Sequence, residues 1–133
     1  MLNRAYVLVA EDQPFIALDL ALAIEDADGE VVGPVASVKE ALALLATNAV
    51  DAAILDCDLV GGDCSPIVEL LAVRGVPVII QTGVGLPANL AGRFPHLVVH
   101  IKPCVAAKLI AQLGVMICDH QQAAERKTGG ASA

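Results

Sequence analysis

Aromatic residues are scarce in this 133-residue sequence, at 2% with no Trp. So few rings exclude a protein that holds bases or sugars mainly by stacking. Positive charge is also scarce, because 8 Lys and Arg residues face 15 Asp and Glu residues, for a formal net charge of −7. That balance disfavours nucleic acid as a direct partner. Metal-ligand cysteine spacing is missing too, since Cys57, Cys64, Cys104 and Cys118 form no CxxC pair, and we interpret them as reduced thiols.

Long apolar stretches without helix breakers are also missing. The longest uncharged run, residues 75–92, contains four other glycines or prolines besides Gly75 and Pro77, and would make a poor membrane-spanning helix. Glu11 and Asp12 interrupt the apolar run near the N-terminus, which therefore lacks the layout of a signal peptide. We expect a cytoplasmic protein without membrane contacts. The length favours one domain, and the 56% of hydrophobic residues suffice for a sizeable core.

Apolar runs of strand length alternate with helical patterns along the chain. The strands are predicted at 5–10, 31–35 (at an edge of the sheet), 51–56, 78–81 and 97–101. The predicted helices begin at Pro14, at a capping box of Ser37 and Glu40, and at Ser65 as N-cap; a last one runs from Val105 to about Cys118. Residues 83–95 hold at most one turn of helix.

This alternation predicts an α/β fold with a doubly wound, five-stranded parallel sheet. Its predicted strand order is 2-1-3-4-5, the flavodoxin-like arrangement, with a shortened fourth helix. We expect one domain over residues 1–118, followed by a flexible C-terminal tail at 119–133.

Polar side chains stand at the carboxyl ends of the predicted strands, where such sheets bind ligands. The first strand ends at Glu11 and Asp12, and the third at Asp56, with Asp58 two residues later. Carboxylates that meet across neighbouring strands repel one another unless a cation joins them, and Mg²⁺ prefers such oxygen ligands.

The two later strands end at Thr82 and Lys102, which supply a hydroxyl and a mobile positive charge. Together with carboxylates and Mg²⁺, these groups can bind a phosphoryl group during its transfer. Asp56, at the end of the central strand, is the best candidate for a nucleophile that forms an aspartyl phosphate.

In this order along the chain, the residues resemble the receiver (CheY-like) domain of two-component response regulators. The resemblance covers residues 5 to about 118. It rests on Glu11-Asp12 after VLVA, Asp56 in AILD, Thr82 followed by Gly83, and Lys102-Pro103. More narrowly, the stretch LVGGDCSPIVELLAVRGVPVIIQTGVG is similar to stand-alone receivers of α-proteobacteria that partner HWE-type histidine kinases.

The resemblance implies roles for these residues. A kinase phosphohistidine would donate its phosphoryl group to Asp56, while Asp12, Asp56 and the backbone carbonyl of Asp58 bind Mg²⁺ and Glu11 assists through water. Thr82 and Lys102 would bind the phosphoryl oxygens, and Thr82 would move inward after phosphorylation.

The resemblance also implies a signalling protein rather than an enzyme, with only self-catalysed phosphotransfer and dephosphorylation. Such a single-domain receiver signals by binding another protein or drains phosphoryl groups from its kinase as a phosphate sink. The apolar last helix indicates a contact face for the sensor kinase or for a second copy in a homodimer.

Two positions depart from the receiver pattern. The aromatic residue usual three positions before the Lys is Val99, and the Pro usual four positions after the phosphoacceptor is Val60. His100 is an aromatic beside Val99, but period-2 alternation predicts that it faces the opposite side of the sheet. The Thr-to-aromatic switch typical of receivers is therefore predicted to be absent or altered.

Two other functions remain open at this stage. Residues Asp56 to Val60 spell DxDxV, which resembles the nucleophile motif of haloacid-dehalogenase-type phosphatases. There the motif usually follows the first strand, and a further acid pair comes after the Lys. The second alternative is a pseudo-receiver that only binds partners, against which the intact acid set argues.

Overall fold

The structure, a computed structural model, describes residues 2–132, with side chains described for residues 2–124. In chain order its elements are β1 (Tyr6–Ala10), α1 (Pro14–Asp26), β2 (Glu30–Val35), α2 (Val38–Thr47), β3 (Ala52–Asp56), β4 (Asp58–Leu59), β5 (Gly62–Asp63), α3 (Ser65–Val73), β6 (Val78–Thr82), α4 (Ala88–Arg93), β7 (Val98–Ile101) and α5 (Ala106–Ser132).

Five parallel strands form the main sheet in the order β2-β1-β3-β6-β7. Counted along the main sheet alone, this is the predicted order 2-1-3-4-5, with the predicted edge strand at β2. The fourth helix, α4, is only six residues long, as the glycines and prolines around it require. The predicted fold class is therefore confirmed.

The central strands are apolar on both faces because helices cover both faces. Successive side chains alternate between two cores. Leu8, Ala53, Leu55 and Ile80 belong to the core under α2 and α3. Their alternating neighbours, among them Val7, Val9, Ile54 and Ile79, belong to the core under α1 and α5. The sheet thus brings the carboxyl ends of its parallel strands together at one edge, above two packed cores.

The N-terminus of α2 is capped by the predicted pair of Ser37 and Glu40. The amide of Glu40 donates to Oγ of Ser37 at 3.0 Å, and the Ser37 hydroxyl donates to the Glu40 carboxylate at 2.9 Å. These bonds satisfy backbone and side-chain groups at the helix start.

The start of α3 differs from the prediction. Its N-cap is Cys64 rather than Ser65, and Ser65 is the first helical residue. The physical reason is Asp63, whose Oδ1 accepts the amide of Ser65 at 2.8 Å and takes over the capping role. The segment between β3 and α3 also forms a two-stranded antiparallel hairpin of β4 and β5, with Asp58 opposite Asp63, where the sequence predicted a plain loop.

The last helix is longer than predicted, because α5 continues past Cys118 to Ser132. The proposed flexible tail at 119–133 stays a prediction about motion, although the helical backbone runs through that boundary and Ala133 lies outside the described residues. Among residues 2–132, no helix has the length and apolar character needed to cross a membrane.

Candidate functional site

Three carboxylates converge at the carboxyl edge of β1 and β3. Ala10 pairs with Leu55 across these strands, so the next residues, Glu11 and Asp56, come side by side. Glu11, Asp12 and Asp56 each offer an oxygen that lies within 4.8 Å of the other two. Glu11 and Asp56 are buried, whereas Asp12 is exposed.

Lys102 brings a positive charge to this cluster from the end of β7. Its backbone amide donates to the carbonyl of Thr82 at 2.8 Å, which continues the β6–β7 pairing by one residue. Its Nζ lies 2.7 Å from Oε1 of Glu11 and 3.1 Å from Oδ2 of Asp56. Lys102 is therefore the cation that joins two buried carboxylates.

Burial and close contact shift the pKa values of these groups in different directions. Desolvation, followed by the neighbouring Asp56, raises the pKa of Glu11 to about 7 against the opposing effect of Lys102. Burial also acts to raise the pKa of Asp56, but hydrogen bonds from Glu11, the Asp58 amide and Lys102 outweigh it and lower that pKa. Asp56 is thereby kept ionised, the form in which a carboxylate acts as a nucleophile.

The cluster fits a hard divalent cation. Its potential ligands are all oxygens, which suits Mg²⁺. Oε2 of Glu11 is buried and has no hydrogen-bond partner among the described residues, an unmet demand that a cation or its water can satisfy. The Asp58 amide donates to Oδ1 of Asp56 at 3.2 Å, which fixes the start of the β4–β5 hairpin beside the cluster.

The Thr82 hydroxyl is turned toward its own loop. It donates to the carbonyl of Gly85 at 3.1 Å and accepts from the Val84 amide at 3.3 Å. The side chain is fully buried at the end of β6. The sequence placed Thr82 at the correct edge of the sheet, and its two described bonds lie within residues 82–85 rather than with Asp56.

Val99 and His100 face opposite sides of the sheet, as alternation predicted. Val99 packs against the core under α2 and α3. His100 bonds through Nε2 to Oε1 of Gln112 on α5. The aromatic ring beside the receiver-type position is therefore held by α5, away from Val99.

The cysteines near the site are free thiols of low reactivity. Sγ of Cys57 lies 3.7 Å from Sγ of Cys64, and both residues are buried. Burial raises the pKa of both thiols, and the nearby Asp carboxylates add to the effect. Burial also raises the pKa of Cys104. High pKa values disfavour the thiolate, the reactive form.

Two features were missed from the sequence. Gln81 is buried next to Asp56, and its signal was the single amide in the apolar run VIIQT. Helix α1 exposes Phe15, Leu18 and Leu22, and their i, i+3, i+7 spacing would have predicted a second apolar stripe opposite the buried face.

The fold has counterparts among solved structures. SdrG from Sphingomonas melonis Fr1 is 33% identical with a TM-score of 0.70, and the match covers 87% of this chain and 99% of that one. The response regulator PhyR from Brucella abortus is 28% identical with a TM-score of 0.74, covering 92% of this chain and 53% of that one. A CheY-like receiver domain protein from Methanospirillum hungatei JF-1 shares the fold, with a TM-score of 0.79 at 19% identity, over 89% of this chain and 97% of that one.

No protein-family profile and no curated protein sequence matches the chain. The structural matches give no support to the phosphatase interpretation of DxDxV, since the matching proteins from Francisella, Methanospirillum hungatei and Brucella abortus are response regulators or their receiver domains.

Proposed function

The chain belongs to the receiver domain family of response regulators, and we propose that it accepts a phosphoryl group on Asp56 from the phosphohistidine of a sensor kinase. The observation that carries this proposal is the ion-pair cluster, in which Lys102 Nζ joins Glu11 at 2.7 Å and Asp56 at 3.1 Å. A buried, ionised carboxylate beside a lysine is the arrangement that an aspartyl phosphate requires.

In the transfer, an oxygen of the Asp56 carboxylate forms the new bond to phosphorus. The bond between phosphorus and the histidine nitrogen breaks, and the imidazole keeps that electron pair. Lys102, already within hydrogen-bond distance of Asp56, is placed to bind an oxygen of the incoming group. The Thr82 hydroxyl would also bind a phosphoryl oxygen, once it has given up its hydrogen bond to the Gly85 carbonyl.

We propose that Mg²⁺ is held by Glu11, Asp12 and Asp56, with the backbone carbonyl of Asp58 as a further ligand. An ion bound there would neutralise the negative charge that gathers on the phosphoryl oxygens during transfer. The three-carboxylate geometry and the unpaired Oε2 of Glu11 support this assignment.

A kinase must bring its phosphohistidine to Asp56, so its docking surface must adjoin the cluster. The exposed apolar residues Phe15 and Leu18 of α1 lie three and six positions after Asp12 in the chain, and we assign kinase contact to this face. The similarity of residues 59–85 to receivers that partner HWE-type kinases favours a kinase of that type.

The output of the receiver is binding to another protein or a phosphate-sink role. Exposed Val115 on α5 suits a contact with a second copy of the chain.

The phosphorylation proposal is tested with acetyl phosphate and Mg²⁺, followed by the mass of the intact protein. We expect one added phosphoryl group in the wild type and in Asp26→Asn, an exposed control on α1, and none in Asp56→Asn. No added mass in the wild type, or an equal addition in Asp56→Asn, would contradict the proposal.

Two further measurements separate the alternatives. A receiver should show almost no steady hydrolysis of p-nitrophenyl phosphate. Steady hydrolysis that Asp56→Asn abolishes would indicate a phosphatase. A pseudo-receiver should show no shift of the Asp12 and Asp56 NMR signals on addition of Mg²⁺, whereas saturable shifts at both residues are expected here.

A further inference from the structure

Gln81 carries a buried amide that lacks a partner. The residue is 2% exposed in the middle layer of the fold. Its Nε2 has no hydrogen-bond partner within the part of the chain that the structure describes. A buried donor without an acceptor destabilises the folded state, so each such group in a native protein needs an explanation.

The register of the sheet places Gln81 directly beside the phosphoacceptor. Asp56 on β3 pairs with Gln81 on β6, and Gln81 pairs in turn with His100 on β7. Ile54 and Ile79, two residues earlier on β3 and β6, both pack in the core under α1 and α5. Because strand side chains repeat every two residues, Asp56 and Gln81 project from the same face as neighbours.

Gln81 also lines a cleft that reaches the cation of the site. The cleft has a volume of about 440 Å³ and lies between α1 and α5, with Gln13, Asp19, Gln81 and Lys102 among its lining residues. Gln81 and the lysine that binds Asp56 therefore line one cleft. An acceptor that enters this cleft beside Lys102 shares it with Gln81.

We infer that Nε2 of Gln81 donates a hydrogen bond to a phosphoryl oxygen on phosphorylated Asp56 and so prolongs the life of that phosphoryl group. The inference rests on the proposed function and names one more residue of the same site. In the structure Nε2 makes no bond to the Asp56 carboxylate, so its acceptor arrives with the phosphoryl group, whose oxygens are strong acceptors.

The bond acts against hydrolysis. In hydrolysis a water oxygen bonds to phosphorus, the bond from phosphorus to Asp56 breaks, the Asp56 carboxylate keeps the electron pair and the water proton passes to solvent. The attacking water must lie in line with the breaking bond. An amide that binds a phosphoryl oxygen on the sheet side limits the orientations of the phosphoryl group. Water can then reach the in-line position in fewer of them.

The test is the decay of the phosphorylated protein after acetyl phosphate is removed. Gln81→Met keeps an unbranched side chain of similar size but has no donor. We expect its phosphoryl group to decay about tenfold faster than in the wild type, the low end for loss of a bond to a charged acceptor. The unphosphorylated variant should unfold at an equal or higher denaturant concentration, because it buries no unpaired amide.

Ile80→Met is the matched control, since Ile80 lies on the same strand and faces the other core. Its decay rate should equal that of the wild type. Equal decay in Gln81→Met and the wild type, or equal acceleration in Ile80→Met, would overturn the inference and show that solvent satisfies the amide or that strand packing sets the lifetime.

NMR of the wild type provides a second measurement if Gln81→Met does not fold. The side-chain amide signals of Gln81 should move strongly downfield on phosphorylation, and unmoved signals would overturn the inference. If the wild type takes up no phosphoryl group, the proposed function itself fails. If Asp56 is phosphorylated but the amide signals of Gln81 do not move, the inference about Gln81 fails and the proposed function stands.

Discussion

Lys102 and Glu11 form an ion pair in which the carboxylate is fully buried and Nζ lies 2.7 Å from Oε1. Asp56, at 3.1 Å from the same nitrogen, is nearly as buried. One ammonium group thus offsets the repulsion between two carboxylates, the task that a divalent cation would perform at the same place.

Removal of that ammonium group should destabilise the metal-free protein. In Lys102→Met at pH 8 with a chelator, the free energy of unfolding should fall by about 3 kcal/mol, the usual cost of leaving a buried charge unpaired. Urea unfolding measures it. Addition of Mg²⁺ should recover most of the loss, because the carboxylates then have another cation.

A double variant provides the control. Glu11→Gln removes one of the two repelling charges, so Glu11→Gln combined with Lys102→Met should be less destabilised than the two single changes added together. Strict additivity would show that Lys102 acts by packing alone.

Stability should depend on pH through Glu11. Its pKa in the folded protein is about 7, above the ordinary value of 4.5. The folded state therefore binds more protons between these values, and the free energy of unfolding should fall as the pH rises from 4.5 to 7 and level off above. Urea unfolding in a chelator should show this slope, and Glu11→Gln should flatten it. An unchanged slope in Glu11→Gln would assign the dependence to another group.

Phosphorylation should loosen the Val84 amide. That amide donates to Oγ1 of Thr82, and the hydroxyl must leave Gly85 to reach a phosphoryl group on Asp56. Hydrogen exchange of the Val84 amide, followed by NMR, should therefore become faster in the phosphorylated protein. Thr82→Val keeps the shape without the hydroxyl and should exchange fast in both states. Slow exchange at Val84 after phosphorylation would mean that Thr82 does not move.

The two helix-start serines should differ in their contribution to stability. Ser37→Ala removes a cap that accepts the Glu40 amide and should lower the free energy of unfolding by about 1 kcal/mol. Ser65→Ala should cost less than half of that, because Ser65 is already helical and Asp63 caps the helix start instead. Denaturant unfolding of both variants compares them directly, and equal losses would contradict the assignment of Asp63.

The sheet was predictable because its signals are local and repeated. Apolar runs such as AYVLVA need burial on both faces, and that need gives parallel strands covered by helices. The convergence of Glu11, Asp12, Asp56 and Lys102 followed from the rule that parallel strands end at one edge. Their chemical roles are still proposals, since sequence and geometry show proximity rather than reaction.

The details that the sequence did not predict depend on which of several nearby polar groups forms a particular hydrogen bond. A pattern of residue types does not rank those groups. Ser65 before Pro66 has the form of a helix start, but the carboxylate of Asp63 binds its amide first. The predicted stop near Cys118 relied on the polar residues that follow, which are compatible with an exposed helix as well as with a coil. The direction of the Thr82 hydroxyl depends on the Gly85 carbonyl, whose position no local pattern fixes.

The partners of the Lys102–Glu11 pair are 91 positions apart in the chain, and this separation has a consequence for synthesis on the ribosome. Strand β7 is the last of the described strands to emerge, after the three acidic residues of the cluster, Glu11, Asp12 and Asp56, have been exposed. Until then the nascent sheet presents its acids to solvent without their lysine, so cations from solution can provide the counter-charge. Completion of this corner of the molecule must therefore wait until Lys102 has been translated.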